Sequence, residues 1–204
     1  MNTETSTAAS HDRSLLRASI GLSLATLLLF GLGYSLLAAG LGRALFPHEA
    51  TGSLVERGGK IVGSALVAQP FADARYFQPR PSASNYDLMA LAGSNQARTN
   101  PDLRKRIDEA RASVAAREGV DPADVPGDLV TQSGGGIDPQ ISPQAARIQI
   151  ARVARARGLD AAVVRTLVAK QTEGPQLGLF GQPRVNVLAL NLALDALDAG
   201  RGAQ

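Results

Sequence analysis

Four residues, Ser133-Gly134-Gly135-Gly136, stand shortly before a helix start at Ser142 and carry the most suggestive spacing in the chain. Consecutive glycines ahead of a helix can aim backbone amides at an anion. They equally suit a tight turn that needs positive φ, and Asp138 beside the helix would repel phosphate. Elsewhere the residue types for catalysis are not assembled. His11 and His48 have no carboxylates or thiols at zinc-ligand spacing. No Gly-Lys-Ser/Thr triplet, G-x-S-x-G elbow or H-E-x-x-H helix occurs. Asp121, Asp124, Asp128 and Asp138 lie in a Pro- and Gly-rich stretch where caps and turns account for them. The residues therefore point to a non-enzymatic domain with no catalytic set and no metal site.

What must position such a domain is a membrane. Between Arg17 and Arg43 lie 25 residues without a charge, and a bilayer core about 30 Å thick needs roughly 20 helical residues. Residues 18–42 are therefore expected to form one transmembrane helix. A cleaved signal would carry an apolar region of about 7–15 residues, shorter than this run. Gly31, Ser35 and Ala39 recur every fourth residue as a stripe of small side chains, the pattern that lets helices approach closely in lipid; Gly and Ala are also simply common in membrane helices. Arg13 and Arg17 flank the N-terminal side, and long domains cross a membrane largely regardless of charge. The expected arrangement is a cytoplasmic N-terminus and an extracytoplasmic domain, which the lack of cysteine permits.

The chain divides accordingly into a flexible tail at 1–17, the helix at 18–42, a soluble domain at 46–198 and a flexible end at 199–204. The class is α+β, mainly helical, with a small β element. With few aromatics and no tryptophan, the core must be built of Leu, Val, Ile and Ala. A net charge of +3 without a basic run interleaved with aromatics gives nucleic-acid binding no support. Pro47 turns Phe46 out of the helix. Residues 60–69 read as a strand after a Gly58-Gly59 turn. Residues 70–100 form an irregular connection long enough to be functional or disordered. Within it Arg80, Ser82, Gly93, Ser94 and Asn95 suit partner contact or turn chemistry equally.

Helix punctuation is clear after that. Asn100-Pro101 opens a helix ended by Gly119, Ser142-Pro143 opens one ended by Gly158, and Asp160 caps a third. Leu159 and Val164 suit a hydrophobic staple there. In the second helix Arg147, Arg152 and Arg155 are expected away from the apolar face. VNVLALNLALDAL alternates like a strand, but its length and its Leu and Ala favour a helix capped by Asn186.

A series of ordered segments carries a resemblance. Gly52-Ser53-Leu54, Gly63-Ser64-Ala65-Leu66, Arg80-Pro81-Ser82-Ala83 and Gly93-Ser94-Asn95 are followed by Leu129-Val130-Thr131, Ile141-Ser142-Pro143-Gln144-Ala145-Ala146, Pro183-Arg184-Val185-Asn186-Val187 and Leu190-Asn191-Leu192-Ala193-Leu194-Asp195. Over roughly residues 20–197 the chain resembles the C subunit of the Kdp-type potassium-transporting ATPases. The resemblance implies a bacterial inner-membrane complex of three partners: a channel-like potassium-binding subunit, a P-type ATPase subunit and a small single-helix subunit. This chain would be their accessory member, non-catalytic and without a firmly bound cofactor, while ATP and potassium are handled through the partners. It also implies an alternative role as a catalytic chaperone raising ATP affinity. Ser133-Gly134-Gly135 is similar to the centre of the Leu-Ser-Gly-Gly-Gln signature of ABC transporters, although Gln132 and Gly136 replace its outer residues. Gln149 could then read adenine through its side-chain amide, or be an exposed helix glutamine. An extracytoplasmic domain cannot meet cytoplasmic ATP, so the favoured role is to cap the extracellular side of the potassium-selective subunit.

Overall fold

The computed structural model describes residues 4–202. It is mainly helical with two small antiparallel sheets, and the described residues divide into two compact units, one up to Ser53 and one from Leu54 onward.

The first unit is a nearly unbroken helix. Helix α1 spans Glu4–Thr26, a π-helical stretch covers Leu27–Gly33, and α2 spans Tyr34–Leu45. Residues 4–17 are thus helical where a flexible tail was expected; residues 1–3 and 203–204 of the two expected tails lie outside the described residues. The stretch Arg13–Leu45, 33 residues, is long and apolar enough to cross a membrane. Its leucines stand exposed along its length, among them Leu22, Leu28 and Leu36, as a lipid-facing helix requires. Phe46 leaves helical geometry at φ −135°, and the short helix α3, Pro47–Ala50, follows.

In the second unit, β1 (Leu54–Arg57) and β2 (Lys60–Ser64) form a hairpin. Gly58 and Gly59 both take positive φ, +59° and +76°, the geometry a two-residue hairpin turn demands. The expected strand 60–69 stops at Ser64 because the chain turns there, Leu66 N–H donating to Ser64 Oγ. Helices α4 (Pro101–Glu118), α5 (Pro143–Arg157), α6 (Ala161–Lys170) and α7 (Val187–Gly202) carry the domain. Helix α7 reaches Gly202, so residues 199–202 are also helical rather than loose. A second sheet has the order β3-β5-β4, from Gln140–Ile141, Arg184–Asn186 and Thr172–Glu173.

The capping chemistry follows from residue types. The side chains of Asn100, Ser142 and Asp160 accept from Asp102, Ala145 and Ala162 N–H. Gly119 and Gly158 close their helices at φ +70° and +62°, a left-handed conformation that glycine adopts freely. Asn186 caps α7 through Ala189 N–H. One core joins Val153, Val164, Val185, Leu190 and Leu194 around Phe77, its only fully buried aromatic among the described residues.

Candidate functional site

Residues 65–100 contain no helix or strand, yet the first half of this connection is pinned by polar side chains of α5 and α7. Asn191 accepts from Phe77 N–H at 2.8 Å and donates to Phe77 C=O at 2.9 Å, so its amide stands in for a neighbouring strand. Gln149 grips the next residue alike, accepting from Gln78 N–H at 2.8 Å and donating to Gln78 C=O at 3.2 Å. Arg152 donates to the Ala74 and Tyr76 carbonyls and pairs with Glu118, whose side chain is fully buried. Expected on the solvent face, Arg152 is only 11% exposed, because these carbonyls and Glu118 give its guanidinium enough partners. Arg157 lies over the Tyr76 ring at 4.8 Å and binds Asp195 and Asp198. Burial tends to raise the Asp195 carboxyl, but hydrogen bonds from Arg157 and Arg57 outweigh it and hold the group below its ordinary value. Burial likewise pulls at Arg157, and its two aspartates win, keeping it charged.

The second half of the connection meets the glycine turn. Ser82 and Gly93 are brought against Ser133–Gly136, and Arg80 against Asp138: Ser133 N–H donates to Pro81 C=O, and Gly136 sits at φ +75° over Ser82, Ser84 and Ala92. A Cβ at Gly93 would fall 2.7 Å from Gly134 C=O, so glycine is required there for close approach. Ser82 Oγ accepts from Tyr86 N–H, and Tyr86 O–H donates back to Arg80 C=O at 2.8 Å. Burial pushes the Tyr86 hydroxyl up, a nearby Arg117 opposing it. Ser94 is half-buried and Asn95 exposed at φ +50°. Ser82 is thus absorbed by turn chemistry, while Arg80 faces outward into a groove.

That groove, about 610 Å³, joins Arg80, Asp128, Asp138, Gln140, Gln144 and Arg184. Arg80 pairs with Asp138 at 2.8 Å and Arg184 with Glu173 at 2.9 Å, while Asp128 accepts from Ser142 N–H. Its two arginines are held in ion pairs and Asp128 is occupied by Ser142, an arrangement that suits polar recognition. Arg80 Nε and Gln132 Oε1 are buried without hydrogen-bond partners. Among the described residues no three His, Cys, Asp or Glu side chains come within reach of one metal ion.

Gln149 is not available to read a base. Fully buried, it makes four hydrogen bonds within the chain, with Gln78 N–H, Gln78 C=O, Ala145 C=O and Arg152. Neither the adenine reading nor the exposed-glutamine reading survives, since the helix face that carries it is covered by the 74–78 segment. Gly134 and Gly135 remain exposed. In the first unit Gly31, Ser35 and Ala39 lie exposed on the apolar helix.

The family model described as "KdpC: K+-transporting ATPase, c chain" matches residues 16–196. The chain belongs to this family. A potassium-transporting ATPase KdpC subunit from Xanthomonas oryzae pv. oryzae is 61% identical over 191 residues, 94% of this chain and 90% of the relative. The KdpC subunits of Shewanella putrefaciens and Sorangium cellulosum are each 52% identical, covering 86% and 88% of this chain and 88% and 96% of their own lengths. Membership in the KdpC family makes this chain a subunit of a potassium-transporting ATPase, with partner subunits in the same complex.

The gripping roles of Glu118, Arg152, Arg157, Asn191 and Asp195 are not legible from residue spacing. The one available signal was the placement of Asn191 and Asp195 on the apolar face of a Leu-rich helix, four residues apart.

Proposed function

We propose that this chain is an accessory, non-catalytic subunit of a high-affinity potassium uptake ATPase. Its helix anchors it in a bacterial inner membrane and its domain caps the extracellular side of the potassium-selective partner. The observation that carries this reading is one apolar helix, Arg13–Leu45, leading into a separately compact unit in a chain of this family. Arg13 and Arg17 favour a cytoplasmic N-terminus, which puts the domain outside. The helix would pack on its neighbour through Gly31, Ser35 and Ala39, where small side chains allow close approach in lipid. The channel-like subunit holds potassium, the P-type subunit hydrolyses ATP, and a small single-helix subunit completes the assembly. Arg80 with the groove it lines, together with Ser94 and Asn95, is the polar surface offered to the partner.

Protease added to intact spheroplasts tests the topology. Degradation of the domain from outside is the expected result, and full protection overturns it. Co-purification with a P-type ATPase, with potassium-stimulated ATP hydrolysis in the complex alone, tests the assembly role. The exposed backbone of Gly134 and Gly135 is what favours the alternative, a chaperone that binds ATP and raises the catalytic subunit's affinity. That role would depend on Ser133, Gly134 and Gly135 without Gln149, and ATP binding by the purified full chain would support it.

A further inference from the structure

Strands β4 and β5 extend into a hairpin whose tip contradicts the usual economy of a water-soluble surface. Leu177, Leu179 and Phe180 are 85%, 80% and 64% exposed. The tip is well built: Gln176 and Phe180 exchange backbone hydrogen bonds at 2.8 and 2.9 Å, and Gly178 N–H donates to Pro175 C=O. Its base is closed by the Glu173–Arg184 ion pair. Leu177 is held at φ +54°, a left-handed conformation unfavourable for a bulky residue and natural for Gly or Asn. Such strain at a presented side chain marks functional surfaces.

The occupant follows from charge and area. Residues 174–183, GPQLGLFGQP, carry no charge and neither Tyr nor Trp. A lipid-surface contact draws on Lys and Arg for headgroups and on Trp or Tyr at the interface, and this tip has none of them. Three side chains so exposed amount to roughly several hundred Å², the size of patch that marks a binding site. Doubled for two copies it still falls short of the roughly 1,200 Å² that a stable dimer buries in total, so two copies would not hold each other by this tip. It suits one of two anchors, the tip and the membrane helix holding the chain in the assembly jointly and neither sufficing alone. We propose that Leu177, Leu179 and Phe180 seat in an uncharged apolar crevice on the extracytoplasmic face of a membrane-embedded subunit of the complex. This rests on the assembly role proposed above.

The chain has no cysteine, so Leu179→Cys gives a unique reporter for a thiol-reactive fluorophore, and the complex with the parent chain gives the labelling background. Iodide quenching is compared for the full chain alone in nanodiscs and for the purified complex. The expected result is free quenching alone and at least fivefold protection in the complex. In parallel, Leu179→Glu with Phe180→Glu should leave the melting temperature of the full chain in detergent unchanged and release it from the complex during washing. Equal quenching in both states overturns the proposal, as does a charged variant that stays bound. Protection already present in nanodiscs, with quenching by brominated lipid, also overturns it and assigns the tip to the bilayer. If the parent chain itself fails to co-purify, the assembly role has failed instead.

Discussion

Replacing Asn191 with leucine isolates the device that makes an irregular segment part of the core. Leucine keeps the branching and the number of side-chain heavy atoms at a residue that is 1% exposed; its methyls are bulkier than the amide atoms, which adds a packing cost, and the larger part of the loss is polar. Two hydrogen bonds disappear, and Phe77 N–H and C=O are left buried without partners. Each orphaned buried group costs about 1–3 kcal/mol, which sets the expected destabilisation at ~3–4 kcal/mol after modest relaxation. For a chain of this size 1 kcal/mol moves the melting temperature by roughly 2–4 °C, so a fall on the order of 10 °C follows. Denaturation of the full chain in detergent measures the global loss, and hydrogen exchange at Phe77 and Gln78 measures the local one. Gln149→Leu releases the neighbouring residue of the same segment, so the double variant should cost less than the sum of the two. A loss under about 1 kcal/mol, or strict additivity, would refute the claim that these amides jointly hold the segment.

Other consequences can be measured separately. Asp195 is held below its ordinary value, so the stability it contributes is full above about pH 4 and vanishes as pH falls through its lower folded-state value; the gap in melting temperature between wild type and Asp195→Asn should therefore narrow on acidification from pH 7 to 3. Gly93→Ala should destabilise by about 1–3 kcal/mol, because its Cβ meets Gly134 C=O, whereas Gly134→Ala, with open space around it, should stay within about 0.5 kcal/mol. Gly31→Leu meets nothing within the chain, so it should leave the domain's melting unchanged and weaken co-purification with the membrane partners.

The elements announced by punctuation were readable in advance, and physics explains which. Asn100-Pro101, Ser142-Pro143 and Asp160 cap helices because their side chains reach an N–H two or three residues on, a purely local bond. The alternating Leu188, Leu190, Leu192 and Leu194 resolved as helix because Asn186 caps it and ends β5 at the same residue. Strands β3, β4 and β5 were not legible, being two or three residues long and paired across gaps of ten residues or more. No local period exists in so short a segment. The small-residue stripe on the membrane helix was visible, but the π-helical stretch at Leu27–Gly33 was not, because backbone register inside an apolar run leaves no trace in residue type. Arg152 and Gln149 were misplaced for a related reason: helical spacing identifies a face, and here a polar face is also a covered one.

That last error bears on what the domain is for. A connection from Ala65 to Asn100 without helix or strand would ordinarily be mobile, and a mobile surface loses affinity to ordering whenever it docks. Here the backbone groups of Phe77 and Gln78 are bonded by Asn191 and Gln149, those of Ala74, Arg75 and Tyr76 by Arg152 and Arg157, and Pro81 C=O by Ser133 N–H. Side chains thus do for this segment what a sheet does for a strand. The loop that carries Arg80 therefore has much of its ordering cost met during folding, as the proposed docking surface requires. In the proposed capping role an accessory subunit gains from such pre-organisation, because a stiff surface docks at a smaller entropic cost. Pre-organisation of this kind has a kinetic signature: variants that free the segment, Gln149→Leu or Asn191→Leu, should weaken assembly mainly through faster dissociation, while a charge change at Arg80 should act on the same complex without freeing residues 74–78.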